Sequence, residues 1–218
     1  MSSPGADASP DASPDARAPK ARIPKLVPGA LAEDQRAVYE AIAGGRRAQG
    51  PQLFRLRDDD GALEGPFNAF LLQPRLGAAL QAVGSAVRYD TALSDRAREI
   101  AILVVAVQWS SAFEWYAHEA VGRHVGLSET ELDGLAEGDY TVLPPQDRLV
   151  AEVCRRLSAD ADLDDATYAD AVEALGEAGV FELLTLVGYY ATLALQMRVF
   201  RVGSPAPTRL DTEHPQSR

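Results

Sequence analysis

Residues 94–119 read SDRAREIAILVVAVQWSSAFEWYAHE. The stretch opens on Ser94 and Asp95, two residue types that cap helix N-termini, and runs from Ile100 to Val107 without a polar side chain. Taken alone, the apolar run could be a buried strand, because periodicity does not separate a short continuous apolar segment from a buried helix. Its continuity with the Ala- and Arg-containing turn before it favours a helix of about 15 residues, apolar on all sides and therefore central. A second helix is predicted from about Ser111 to Val125, stopped by Gly126.

The same pattern extends outward in both directions. Leu31 to Ala43 has apolar residues at helical spacing before Gly44-Gly45, and Pro66 to Leu72 and Pro74 to Val87 each carry a proline near the start. Ser128-Glu129-Thr130-Glu131 opens a short helix with a capping-box signature. Further helices are expected over Asp147 to Leu157, Asp164 to Leu175 and Phe181 to Arg201. Strand signals are scarce, so the fold class is all-α. Phe181 to Phe200 is apolar over most of its circumference, more than a small helical domain easily hides, which predicts burial between subunits.

Composition limits the partners. The 218 residues are 46% hydrophobic, and no apolar run approaches the roughly 18 residues of a membrane span, which predicts one soluble domain. A net charge of −11 argues against binding to nucleic acid or to an anionic membrane surface, since both depend on Lys and Arg meeting phosphates. Small molecules and other protein subunits are the expected partners. Cys154 is the single cysteine, so the chain can form neither an internal disulfide nor a CxxC pair, and a cytoplasmic setting is expected. Residues 1–28, rich in Ala, Ser, Pro and Asp, read as a disordered extension without a secretory pattern, residues 29–202 as the helical domain, and 203–218 as a flexible tail.

Several motifs together resemble one family. Gly65-Pro66-Phe67-Asn68 with Gln73-Pro74-Arg75-Leu76, then Arg98-Glu99-Ile100-Ala101-Ile102-Leu103, Glu114-Trp115-Tyr116-Ala117-His118 and Gly126-Leu127-Ser128 are similar to the carboxymuconolactone decarboxylase and AhpD-like family. Phe181-Glu182-Leu183-Leu184 and Gly188-Tyr189-Tyr190 extend the likeness towards the C-terminus. The resemblance implies an AhpD-like helical bundle assembled as a trimer or hexamer, with no metal or other cofactor. It also implies that Glu99 and His118 stand where AhpD-like peroxidases keep the glutamate and histidine of a proton relay. Ser111 and Glu114 occupy the two positions of those enzymes' CxxC pair. A dithiol peroxidase or disulfide reductase is excluded on that ground, because the thiolate is the nucleophile such chemistry needs.

The residues themselves point to proton transfer. Glu114 and His118, at i and i+4, project from one helix face and can share a proton, while a nearby carboxylate and burial pull the imidazole in opposite directions. With Glu99 facing the same cavity, one of two carboxylates in low dielectric would hold its proton at neutral pH. The expected catalytic set is His118, Glu114 and Glu99, with Trp115, Tyr116, Trp109 and Arg98 as substrate-binding residues. Such a set suits a cofactor-independent lyase or isomerase acting on a small unsaturated carboxylic acid, lactone or cyclic ketone. Two other readings stand beside it: a non-catalytic helical oligomer serving binding or assembly, and a metal site formed by Glu99, Glu114 and His118. Ser111 reads as a helix cap, and Glu119 and His124 as surface groups. Arg88, Arg96, Arg98 and Arg123 read as helix-surface arginines, one of which an anionic substrate would require.

Overall fold

The computed structural model describes residues 20–211; the parts of the expected terminal extensions at 1–19 and 212–218 lie outside the described residues. Eight α-helices follow one another: α1 (Glu33–Ala43), α2 (Pro66–Phe70), α3 (Pro74–Tyr89), α4 (Asp95–Gln108), α5 (Ala112–His124), α6 (Glu129–Glu137), α7 (Pro145–Asp160) and α8 (Asp165–Phe200). Among the described residues the only β pairing is an isolated bridge between Arg57 and Leu63. The fold is all-α, as the sequence pattern predicts.

Helix α4 is the hub. Ser94 caps it by accepting the Ala97 N–H, and every residue from Ile100 to Ala106 has zero exposure. It packs against α5, α6, α7 and α8, which is why its apolar residues are not confined to one stripe. The entry to α4 is fixed by Glu182 of α8, whose carboxylate accepts the backbone N–H groups of Ala92 and Leu93. Arg96 reaches from α4 to Glu131 on α6 and to Asp147 on α7, at 2.7 Å for the latter, so it ties three helices together rather than facing solvent as expected.

Helix α8 breaks at Gly176, whose φ of 71° and ψ of 165° interrupt the helical run. Its C-terminal half buries Leu183, Leu186, Tyr190, Leu193 and Met197 against the core, but leaves Phe181, Leu184, Leu195 and Val199 exposed along the opposite edge. By length and composition α8 is the one described helix that could cross a membrane, although the sequence pattern gave no such span; half of the relevant window is buried within the bundle, the mark of a core helix.

The flanking segments are more firmly seated than expected. The buried Asn68 accepts the Leu26 N–H at 3.0 Å and donates to the Pro24 carbonyl at 2.9 Å, while the Arg22 N–H donates to the Phe200 carbonyl at 2.8 Å. Arg209 pairs with Glu119, Glu129 and Asp133, fastening residues near 209 to α5 and α6. Residues 20–28 and 203–211 thus lie on the helical body rather than outside it.

Candidate active site

The packing of α4 against α5 brings Glu99 and His118 together. Glu99 Oε2 lies 2.6 Å from His118 Nδ1, with both side chains buried. This corrects the expected pairing: Glu114 shares a helix face with His118, yet neither carboxylate oxygen of Glu114 has a hydrogen-bond partner. The neutral imidazole satisfies the short contact by donating its Nδ1 proton to Glu99, which leaves Nε2 as the basic nitrogen. The His118 ring also stands edge-on to Tyr190, 5.2 Å between centroids, and Tyr190 in turn to Tyr189 at 5.4 Å.

Glu114 and Ser111 form an unusual pair at the start of α5. Ser111 occupies the N-cap position, but its hydroxyl makes no capping bond and is buried without a partner. The Tyr189 hydroxyl is a third buried polar atom without a partner. A carboxylate left this way costs several kcal/mol by order of magnitude, and such groups neutralise instead. Burial accordingly pushes the Glu114 carboxyl well above its ordinary range, with the nearby Ser111 hydroxyl opposing the rise in part. His118 moves the other way: burial lowers it, Glu99 resists, and the positive charges of Arg88 and Arg47 add to the lowering. Burial also raises the Tyr189 phenol to about 12. Burial thus favours the neutral form of both groups, the protonated carboxyl of Glu114 and the unprotonated imidazole of His118.

Two adjoining cavities serve these groups. The inner one, with about 20 Å³ for a water-sized guest, is bounded by Glu114, His118, Tyr189, Tyr190, Phe67 and Phe113 among others. The outer one, about 280 Å³, lies between α4, the end of α3 and residues 46–54, and reaches Glu99 and Arg98. Arg47, Phe54 and Arg88 border both. Space for this arrangement depends on Gly84 of α3, where a Cβ would stand 2.1 Å from the Tyr189 hydroxyl and 2.8 Å from Arg47.

The expected substrate wall is placed differently. Trp115 has zero exposure and donates its Nε1 proton to Glu119, so it belongs to the core. Tyr116 accepts the Arg55 N–H at 3.3 Å, and Trp109 packs on the core at the C-terminal end of α4; neither borders the two cavities. Arg98 does border the outer cavity, held by Asp95 at 2.7 Å and the Leu93 carbonyl at 3.0 Å. Glu119 is a half-buried ion-pair centre for Arg123 and Arg209, and His124 borders the outer cavity, so neither is a plain surface group. Among the described residues no group of three or more His, Cys, Asp or Glu side chains is placed to hold a metal ion. Arg47, Phe54 and Phe67 carried no sequence signal as site residues; Tyr189 and Tyr190 stood within a noted motif but had no assigned role.

A model of the carboxymuconolactone decarboxylase family matches residues 74–142. The central segment carries that family's pattern. The matched segment runs from α3 through the turn after α6 and contains Arg88, Glu99, Ser111, Glu114 and His118, whereas Arg47, Phe54 and Tyr189 lie outside it. No curated protein matches the chain. Among solved structures, an uncharacterized peroxidase-related protein from Ralstonia eutropha JMP134, described as an alkylhydroperoxidase AhpD core, is 17% identical with a TM-score of 0.64, covering 85% of this chain and 93% of its own. An uncharacterized peroxidase-related protein from Silicibacter sp. TM1040 is 13% identical with a TM-score of 0.68, covering 87% of this chain and 94% of its own. At these identities the likeness is one of fold, and the fold is AhpD-like.

Proposed function

We propose that the chain is a cofactor-independent lyase or isomerase that moves a proton on a small unsaturated carboxylic acid, lactone or cyclic ketone. The observation that carries this reading is the opposed pair in one small cavity: a Glu114 carboxyl kept protonated by burial and a His118 imidazole kept neutral. An acid whose protonated form is favoured beside a base whose unprotonated form is favoured is the arrangement that acid/base chemistry near neutral pH needs. In the proposed step His118 Nε2 removes a proton from a carbon next to a carbonyl. The electron pair of the C–H bond moves into the new C=C bond, and the carbonyl oxygen takes the hydrogen bond, then the proton, of Glu114. Glu99 holds the imidazole in the tautomer that leaves Nε2 free and offsets the charge that develops on it. Return of the proton to a different carbon completes an isomerisation; in a decarboxylation the bond from that carbon to a carboxylate breaks in place of the C–H bond, its electron pair enters the same C=C bond as Glu114 protonates the carbonyl oxygen, carbon dioxide leaves, and the carbonyl re-forms as the carbon takes up a proton and the oxygen returns one to Glu114.

A thiol route has no support in the geometry. Cys154 is fully buried on α7, burial raises its thiol far above the usual range, and it borders neither cavity.

The test is deuterium exchange followed by NMR in heavy water, with a panel of unsaturated lactones and 2-oxo acids that includes a carboxymuconolactone. The wild-type chain should exchange the proton next to the carbonyl of at least one compound. His118→Asn and Glu114→Gln should each slow that exchange by about 10²-fold or more while the circular dichroism stays unchanged. Exchange at wild-type rates in both variants would overturn the assignment. The non-catalytic reading draws on the tightness of the inner cavity, and it predicts no exchange in any compound together with altered assembly in the same variants.

A further inference from the structure

The outer cavity is strongly basic in a chain whose net charge is −11. Arg46, Arg47, Arg88 and Arg98 stand on its wall against two carboxylates, and both of those are engaged: Asp95 by Arg98, Glu99 by His118. Burial works against the Arg88 charge, but the Tyr190 phenol and Glu99 more than offset it, so Arg88 stays cationic. Arg98 is buried, and its Nε proton has no acceptor. Arg47 keeps one long contact, 3.4 Å from its Nε to Gln81, and its guanidinium lies 5.1 Å from the centre of the Phe67 ring. Arg46 is shared with Asp90 at 2.8 Å on the exposed side and stacks over Tyr89 at 4.3 Å. Of the four guanidinium groups on this hollow, Arg98 and Arg46 each share one carboxylate, whereas Arg47 and Arg88 have only Glu99 between them, and a bound anion would relieve the excess positive charge.

We propose that this outer cavity is a subsite for a dianionic group, a phosphate monoester or a pair of carboxylates, on a substrate whose reacting carbon enters the inner cavity. The proposal rests on the proton-transfer reading for the second half only; the subsite itself stands on the arginines. Size separates the two ends. About 280 Å³ accommodates a charged group with several carbons attached, whereas about 20 Å³ admits little more than the carbonyl or alkene terminus. Arg47 and Arg88, which border both hollows, would grip the molecule at the junction and orient its uncharged end towards Glu114 and His118. Residues 46–54, half of the outer wall, precede the segment that matches the family model, so this specificity element comes from a part of the chain outside that segment.

Isothermal titration of the full chain at low ionic strength tests it, with inorganic phosphate and malonate as probes and malonamide and chloride as uncharged and monovalent comparisons. Phosphate or malonate should bind at least 10-fold tighter than chloride, with no binding of malonamide, and whichever of the two binds tighter identifies the dianion. Arg88→Gln should weaken that binding 10-fold or more, and Arg46→Gln, on the exposed side of the wall, about 3-fold. Arg156→Gln, at a surface pair with Asp164, should leave it unchanged. Dianions that bind no tighter than chloride, or equally well to Arg88→Gln and Arg46→Gln, would overturn the subsite. Glu114→Gln and His118→Asn should bind the probes as the wild type does. If they do so while the wild-type chain catalyses no exchange, the subsite stands and the proton-transfer reading falls.

Discussion

Replacing Glu114 by Gln should make the chain more stable at neutral pH, with a gain that grows as pH rises. Both oxygens of Glu114 are buried without partners, and burial raises its carboxyl well above the ordinary 4.5. The folded chain therefore keeps a proton that the unfolded chain releases above pH 4.5. The stabilisation that proton represents is fully present below that point and is lost as pH climbs towards the folded value. Each unit of pH in that window costs the wild type up to about 1.4 kcal/mol, so the variant should gain on it steadily as pH rises above 5. Gln keeps the shape and the unpaired polar atoms, so the pH-independent part of the comparison stays small. His118 has the opposite sign: its neutral form is favoured on folding, and that stability is present above 6.5 and lost as pH falls. His118 is present in both proteins, so its contribution cancels in the difference. Urea unfolding followed by circular dichroism at fixed protomer concentration, in half-unit steps from pH 4.5 to 8, measures the gap. A gap constant to within about 0.5 kcal/mol between pH 5 and 7 would show that Glu114 ionises near its ordinary value when folded, and the acid in the proposed mechanism would be lost.

Other consequences are as direct. Gly65→Ala should destabilise the fold by about 3 kcal/mol or more, because Gly65 has φ of 58° and a Cβ there would lie 2.1 Å from the Phe113 ring; thermal melting of the purified variant checks this. Cys154 should resist a disulfide thiol reagent in the native chain and react at once in denaturant, since it is fully buried; fast native labelling would contradict its placement. The exposed edge of α8 made by Phe181, 70% exposed, with Leu184, Leu195 and Val199 at spacings of three, eleven and four residues, is proposed to be covered by another copy of the chain. Light scattering should give several times the monomer mass, Leu195→Glu should lower it, and a monomer at micromolar concentration would refute self-association.

The fold was legible where chemistry is local. Ser94 and Ser128 act as the caps their positions suggested, each accepting the N–H three residues on, and the run from Ile100 to Val107 is a helix without an exposed stripe because four other helices surround it. The site was legible in part. Helical phase put Glu114 and His118 on one face, but it could not show that Glu99, nineteen residues earlier in sequence, is the group the imidazole meets, since that depends on how α4 crosses α5. Trp115, expected at the substrate wall, lies about 100° around the helix from Glu114 and turns into the core instead. Arg47, Phe54 and Tyr189 were beyond reach, because they come from distant segments and join the site only through tertiary packing. Within residues 20–28 and 203–211, segments poor in apolar residues, the contacts come from a buried amide, Asn68, and a multiply paired guanidinium, Arg209, neither of which carries a periodic signal.

Ser111 and Glu114 show how little of the scaffold must change to change the chemistry it offers. They sit one turn apart at the start of α5, at the positions where the family resemblance places a cysteine pair, both sealed from solvent and both without partners. A dithiol there would be governed by thiolate formation and exchange, which need an accessible, electropositive setting. A carboxyl in the same dry position is governed by desolvation, which holds the proton on it and makes it a donor. The histidine one turn further on has its carboxylate partner on α4, so that contact is set by the helix crossing and not by the first turn of α5. In this chain the first turn carries a buried carboxyl whose protonated form is favoured, and the positive charges of Arg88 and Arg47 lower the imidazole further. The separation of acid from base thus arises from three sources acting on two residues: burial of both, one carboxylate bound to the imidazole, and two nearby cations.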